Sequence, residues 1–131
     1  PWRGLQELEA GIMIELVLPW PPRELSPNVR THWRRAAPIK ARYRDACYIL
    51  AKQSRIAIDW EGDIHAWIDF YPPDRRHRDD DNLIGAFKSG RDGVAEALGV
   101  NDKRFRIHPY VKDQIGGMVK IRFTRGPEAV A

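Results

Sequence analysis

The sequence predicts a single small domain of two helices and four strands, in the order β-α-β-α-β-β, and three observations carry that expectation. The chain has 131 residues, enough for one hydrophobic core and too few for two. Hydrophobic residues make up 43% of it and charged residues 31%, the balance of a globular chain rather than a disordered one. Its apolar residues alternate in some segments and recur at spacings of three to four in others, with proline and glycine between.

The elements follow in order. Pro1 to Gly11 lacks an initiator methionine and reads as a tag remnant or upstream extension, with Met13 as the native start. Residues 12–125 then form the domain and residues 126–131 a flexible tail. Ile12 to Leu18 is β-rich and reads as the first strand. Pro19-Trp20-Pro21-Pro22 ends it, and together with Ser26-Pro27-Asn28 makes Pro19 to Arg35 a structured loop. A helix is expected from Pro38, since proline fits a first turn, to about Gln53. Ile39, Tyr43, Ala46, Cys47 and Leu50 form its apolar face. Asp63 to Tyr71 reads as the second strand, with Ile64, Ala66, Ile68 and Phe70 on one side and Trp67 on the other, ended by Pro72-Pro73. Asp74 to Asp80 is a charged connection. A second helix should run from Asn82 to Leu98, with Asp81 able to cap it and Gly99 closing it. Its Gly85, Gly90 and Gly93 lower helix propensity, which suggests close approach of another backbone or of DNA. Two strands, Phe105 to Lys112 and Val119 to Thr124, joined through Gly116-Gly117, complete the chain.

Composition removes several function classes. The longest apolar run, Ile12 to Val17, is broken by Glu15, so it is no membrane-spanning helix. The first residues have no apolar h-region, so no signal peptide is read there. The lone Cys47 permits neither an internal disulfide nor a zinc cluster, which gives the expectation of a reducing, cytoplasmic setting. On an apolar helix face, Cys47 is expected in the core rather than as a nucleophile. His32, His65, His77 and His108 lack zinc-ligand spacing, and there is no Walker A loop or G-x-G-x-x-G, so no small-molecule cofactor is expected.

Charge is distributed unevenly. The overall balance is 22 Lys+Arg to 18 Asp+Glu, net +4. Between Arg30 and Arg44 stand Arg30, Arg34, Arg35, Lys40, Arg42 and Arg44 with no acid. A second basic patch, Arg75-Arg76-His77-Arg78, runs directly into Asp79-Asp80-Asp81. Basic surface around compact carboxylates suits a metal-dependent enzyme acting on nucleic acid. If Asp79 to Asp81 is extended, Asp79 and Asp81 point to one side, and a hard divalent cation, Mg²⁺, Mn²⁺ or Ca²⁺, relieves their repulsion. A calcium loop fails, because Ile84 stands where glycine is needed from an Asp79 start and Arg91 where glutamate is needed from an Asp80 start. The plain alternative is a solvated acidic turn capping a helix. On that helix Asp81, Lys88 and Asp92 share one face: Lys88 either meets a phosphate near the metal or forms a surface i,i+4 pair with Asp92. Asp102, just past the helix end, is either a turn residue or part of a chain doubling back to the carboxylates. In the loop, Trp20 is expected to pack, while Arg30, Arg34, Arg35 and Lys40 are expected to hold DNA phosphates beside Asn28 and His32. Arg75, Arg76 and Arg78 are given the same role.

Taken together, Leu18-Pro19-Trp20-Pro21-Pro22, Ser26-Pro27-Asn28 with His32-Trp33, Arg78-Asp79-Asp80-Asp81-Asn82, Lys88, Asp92-Gly93-Val94, Ala97-Leu98-Gly99-Val100 and Asn101-Asp102 resemble the RusA family of Holliday junction resolvases, found in prophages and bacteriophages. The resemblance spans Ile12 to Thr124. It implies an α+β domain with a mixed sheet, acting as a homodimer. It also implies Mg²⁺-dependent hydrolysis that resolves four-way DNA junctions by paired symmetric cuts, in recombination or repair. Asp79, Asp81 and Asp102 match the family's metal-binding carboxylates, and Lys88 its catalytic lysine. One departure stands out. The best-known form has the lysine four residues after the second aspartate, where this chain has Gly85; Lys88 comes seven after. Two other readings are carried alongside: a non-catalytic junction-binding protein, and a metal nuclease for flaps or forks.

Overall fold

The computed structural model describes residues 15–127. The expected tag segment, Met13 and residues 12–14 of the first strand, together with residues 128–131 of the tail, lie outside the described residues. Four strands and two helices follow in the expected order: β1 (Leu16–Pro19), α1 (Trp33–Ser54), β2 (Ile64–Tyr71), α2 (Asp80–Leu98), β3 (Phe105–Val111) and β4 (Met118–Thr124), with single 3₁₀ turns at Arg23–Leu25 and Asp102–Arg104.

The sheet order is β1-β4-β2-β3. β4 runs antiparallel to both its neighbours, while β2 and β3 are parallel and joined through α2, so the sheet is mixed and the domain α+β. Both helices cover one face. Leu16 and Leu18 of β1, Ile64, Ala66, Ile68 and Phe70 of β2, and Val119, Ile121 and Phe123 of β4 meet Tyr43, Cys47 and Ala51 of α1 and Leu83, Phe87 and Val94 of α2 in one core. The period-2 alternation sends those residues inward and Trp67 to the other face, where it stacks on His108 with ring centres 4.0 Å apart. Neither sheet edge invites another strand: β1 is four residues long and ends in Pro19, and edge strand β3 contains Pro109.

α1 starts five residues earlier than expected. His32 serves as N-cap, its Nδ1 accepting the Arg34 N–H at 3.1 Å, so Pro38 sits in the second turn rather than the first. Burial keeps Cys47 inert, its thiol pushed up to about 11 by desolvation. The glycines of α2 answer to protein rather than DNA. A Cβ on Gly93 would land on the Arg44 carbonyl oxygen, so here the two helix backbones touch. A Cβ on Gly85 would strike the Pro27 ring, which leaves no room for a lysine at the four-residue spacing. Gly99 closes α2 in the left-handed conformation at φ 69°.

Candidate active site

The connection from β2 to α2 is ordered by a single acid. Past Tyr71, Pro72 and Pro73 end the strand, and the carbonyls of Tyr71 and Pro72 accept the N–H groups of Gly117 (2.8 Å) and Gly116 (2.9 Å). Asp74 then gathers two arginines. Its Oδ1 accepts the Arg76 backbone N–H at 3.0 Å, its Oδ2 lies 3.3 Å from Arg76 Nη2, and its Oδ1 lies 2.9 Å from Arg78 Nη2. These contacts, the Arg76 backbone N–H foremost, hold the Asp74 carboxyl down at about 2. Arg78 also donates to the carbonyls of Asp74 and Arg76 and lies over the Trp20 indole, 5.5 Å from its centre. Trp20 in turn meets Phe70 edge-on in the core. It packs, as expected. The proline loop is fixed from its other side by Tyr43, whose hydroxyl donates to the Pro19 carbonyl at 2.7 Å and whose ionisation burial pushes far above the ordinary range.

This frame delivers the acidic run to the head of α2 with a correction. The helix begins at Asp80, not Asn82, and the N-cap is Asp79, not Asp81: Asp79 Oδ1 accepts the Asp81 N–H at 3.0 Å. Because Asp80 and Asp81 are helical, the alternation of an extended run does not apply to them. All three carboxylates are exposed, and at the positive end of the helix dipole they are favourably placed. Asp79 opens on a cleft of about 520 Å³ whose walls include Trp20, Asn28, Arg76, Arg78 and Asn82. Asn28 is held there by a hydrogen bond from the Ser26 hydroxyl.

Other expected site residues stand apart. Lys88 is seven residues beyond Asp81, about 10 Å along the axis at 1.5 Å per residue, and forms the i,i+4 pair with Asp92 at 3.3 Å. It lines a separate recess with Lys40, Ser89 and Asp92. Asp102 does not double back. It opens the 3₁₀ turn before β3, behind an Asn101 cap, and Phe105 of β3 pairs with Ile64 at the start of β2. The 19 residues of α2, roughly 28 Å long, therefore separate Asp79 from Asp102. Among the described residues, no three of His, Cys, Asp and Glu gather where one metal ion could sit.

The two basic segments also part company. Arg76 and Arg78 both pair with Asp74, but only Arg78 is drawn in, and Arg76 stays exposed like Arg75. On the loop and α1, Arg30, Arg34, Arg35 and Lys40 are exposed, and Arg35 makes one long ion pair with Glu24 at 3.6 Å. Arg30, His32 and Arg35 line a second cleft of about 600 Å³, which shares Arg23 and Val29 with the cleft at Asp79. Sequence reasoning missed Asp74. Its signal is present, an acid with arginines two and four residues later, but the sequence reading takes the segment as a charged connection whose arginines hold DNA phosphates.

Fold and site define a two-helix, four-stranded domain that presents carboxylates at a helix head beside an arginine-lined cleft. No family model matches the chain. A protein of Xylella fastidiosa (strain Temecula1) bearing the name "Uncharacterized protein" is 42% identical to it over 122 residues, covering 88% of this chain and 80% of that protein. The chain belongs to the same family as that protein. No helix among the described residues is long and apolar enough to cross a membrane.

Proposed function

We propose that the protein is a metal-dependent endonuclease that cuts branched DNA, four-way junctions foremost, as a homodimer. The observation that carries this reading is the exposed pair Asp79 and Asp81 at the head of α2, with Asp79 lining a cleft that shares Arg23 and Val29 with a second one lined by Arg30 and Arg35. The donor chemistry fits a hard divalent ion, Mg²⁺ or Mn²⁺, but a single copy offers only part of the set, because Asp102 lies at the other end of α2. In this reading each site takes Asp79 and Asp81 from one copy and Asp102 from the second. A two-fold dimer then carries two sites, matching the two-fold symmetry of a four-way junction.

A divalent ion held there supplies Lewis-acid polarisation of the scissile phosphate and lowers the pKa of a bound water. The chain's own residues do the rest. Arg23, Arg30 and Arg35 bind the phosphates of the strand entering the site, bidentately where the guanidinium fork allows. Arg78 and Asp74 hold the Asp79 loop rigid, so the carboxylates are prepositioned. Lys88, released from Asp92, meets a flanking phosphate one and a half to two turns further along.

The test uses an end-labelled four-way junction beside a linear duplex and a flap, with and without Mg²⁺. Asp81→Asn and Asp102→Asn are expected to bind the junction and leave it uncut. Mixed after subunit exchange, the two inactive variants should regain roughly a quarter of wild-type nicking, since half of random dimers are mixed and each mixed dimer holds one whole site. A mixture that stays inactive while wild type cuts would place all ligands in one copy and refute the shared site. Tight junction binding with no cutting by wild type in either metal would leave a non-catalytic binder, and preferential cutting of the flap a nuclease of different substrate.

A further inference from the structure

We infer that Trp33 is a base-stacking residue, on which an unpaired nucleobase of branched or single-stranded DNA seats while the adjoining phosphates lie in the arginine-lined cleft. The inference rests on the proposed DNA substrate and adds to it the residue that tells an unpaired base from a paired one. Trp33 is 68% exposed, more than any other large hydrophobic side chain described. A whole indole in water is an unusual surface feature, and its counterpart Trp20 is packed against Phe70.

Its surroundings hold it ready rather than cover it. The His32 ring is stacked beside it with centres 5.7 Å apart and planes 28° apart, and the Arg34 guanidinium lies 5.4 Å from its centre. The same His32 caps α1 through the Arg34 N–H, so the helix start, the imidazole, the indole and the guanidinium form one ordered unit. A ring fixed in this way loses little rotamer freedom when a ligand stacks on it.

Charge identifies the occupant. Arg34 lies over the ring, and Arg23, Arg30 and Arg35 line the cleft that its stacking partner His32 also lines, with Glu24 the single acid among the described residues of that wall. A second copy that set this same face against it would bring like charge and be repelled, whereas a nucleic acid brings both an aromatic face and phosphates. His32, stacked on Trp33, lines the cleft that shares Arg23 and Val29 with the cleft at Asp79, so one strand can run from Asp79 to the indole. Stacking on Trp33 requires a base free of its own stack, which a branch point or a single strand offers and an intact duplex does not.

The test is binding without metal, so that cleavage plays no part. Single-stranded oligothymidylate is titrated into wild type, Trp33→Phe and Trp33→Ala, following tryptophan emission and, separately, the anisotropy of a labelled oligonucleotide. Wild type should lose emission on binding, and Trp33→Phe should lose most of that response while keeping most of the affinity. Trp33→Ala should bind about tenfold more weakly, with duplex affinity changed much less and an unaltered melting temperature, as befits an exposed side chain. Quenching as large in Trp33→Phe as in wild type, or unchanged affinity in Trp33→Ala, would overturn the inference. So would a change of oligomeric state in Trp33→Ala, which would assign the indole to a protein contact. A protein that never cuts DNA but shows Trp33-dependent quenching refutes the nuclease reading alone. A protein that cuts junctions with no Trp33 dependence refutes this inference alone.

Discussion

Two arginine-rich segments of this chain look alike in sequence and differ in what they do. In the segment after β2, Arg78 is drawn in until only 15% of its side chain is exposed, ion-paired to Asp74, bonded to two carbonyls and laid over Trp20. In the segment leading into α1, Arg30, Arg34 and Arg35 remain in solvent, and the Arg35 side chain keeps 71% of its surface exposed. The difference comes from one residue. Asp74, four positions upstream, converts Arg78 from a ligand-seeking cation into a strut, while Arg76, paired with the same acid, stays 75% exposed; the segment before α1 has no such aspartate. The number of basic residues therefore overstates the phosphate-binding surface, because exposure and partners decide which cations remain available.

That contrast is breakable at both ends. The largest effect is expected from Arg78→Ala, which removes two hydrogen bonds to carbonyls, an ion pair and the cover of Trp20, and should lower stability by about 2 kcal/mol. Urea unfolding reads it, and a change within experimental error would mean the strut is idle. Changing Arg30, Arg34 and Arg35 together to alanine should do the reverse. Stability should move by less than about 0.5 kcal/mol, while the slope of log affinity against log salt should fall by about 3, one for each phosphate no longer held. Junction binding by an Asp81→Asn background in chelator measures this without cleavage. The smallest effect lies at acid pH. Asp74 is held at about 2 against an ordinary 3.8, so its contribution is present above the unfolded value and is lost as pH falls from about 4 toward 2. Asp74→Asn should flatten that acid limb in unfolding curves between pH 2 and 5. An unchanged limb would show that the arginines hold the loop without it.

Much of this architecture was legible in the residues, and what was not has physical causes. The six-element order follows from periodicity, and Pro72-Pro73, Gly99 and Gly116-Gly117 mark its boundaries as expected. The start of α1 escaped because Pro38 was placed by the first-turn rule, whereas a histidine, His32, supplies the cap. The cap of α2 slipped by two residues because any of three consecutive aspartates can fill that role, and only the backbone at Asp79, φ −84° and ψ 132°, selects it. The separation of Asp79 from Asp102 was implicit in the helix length. The direction taken by the chain after Gly99 was not, since it depends on β3 pairing parallel to β2. The contact of Arg78 with Trp20 joins residues 58 positions apart, and no local pattern encodes it. Of the three glycines expected to admit another backbone or DNA, Gly93 meets the backbone of α1, whereas Gly85 faces the Pro27 ring and Gly90 the side chains of Tyr43 and Cys47.

The position of β4 has a consequence for how the molecule comes into being. The last of the described strands to be made is interior: among them β1 pairs with β4 alone, Leu16 opposite Ile121, and β2 leans on β4 along its other side. On a ribosome adding about 5–20 residues per second, β1 must therefore wait several seconds without a strand to pair with, while the βαβ unit of β2, α2 and β3 already has its parallel pair. Assembly thus begins in the middle of the chain and ends by threading the final hairpin arm between two waiting edges. A nascent chain released before Met118 would be left with two open strand edges rather than a smaller version of the same fold.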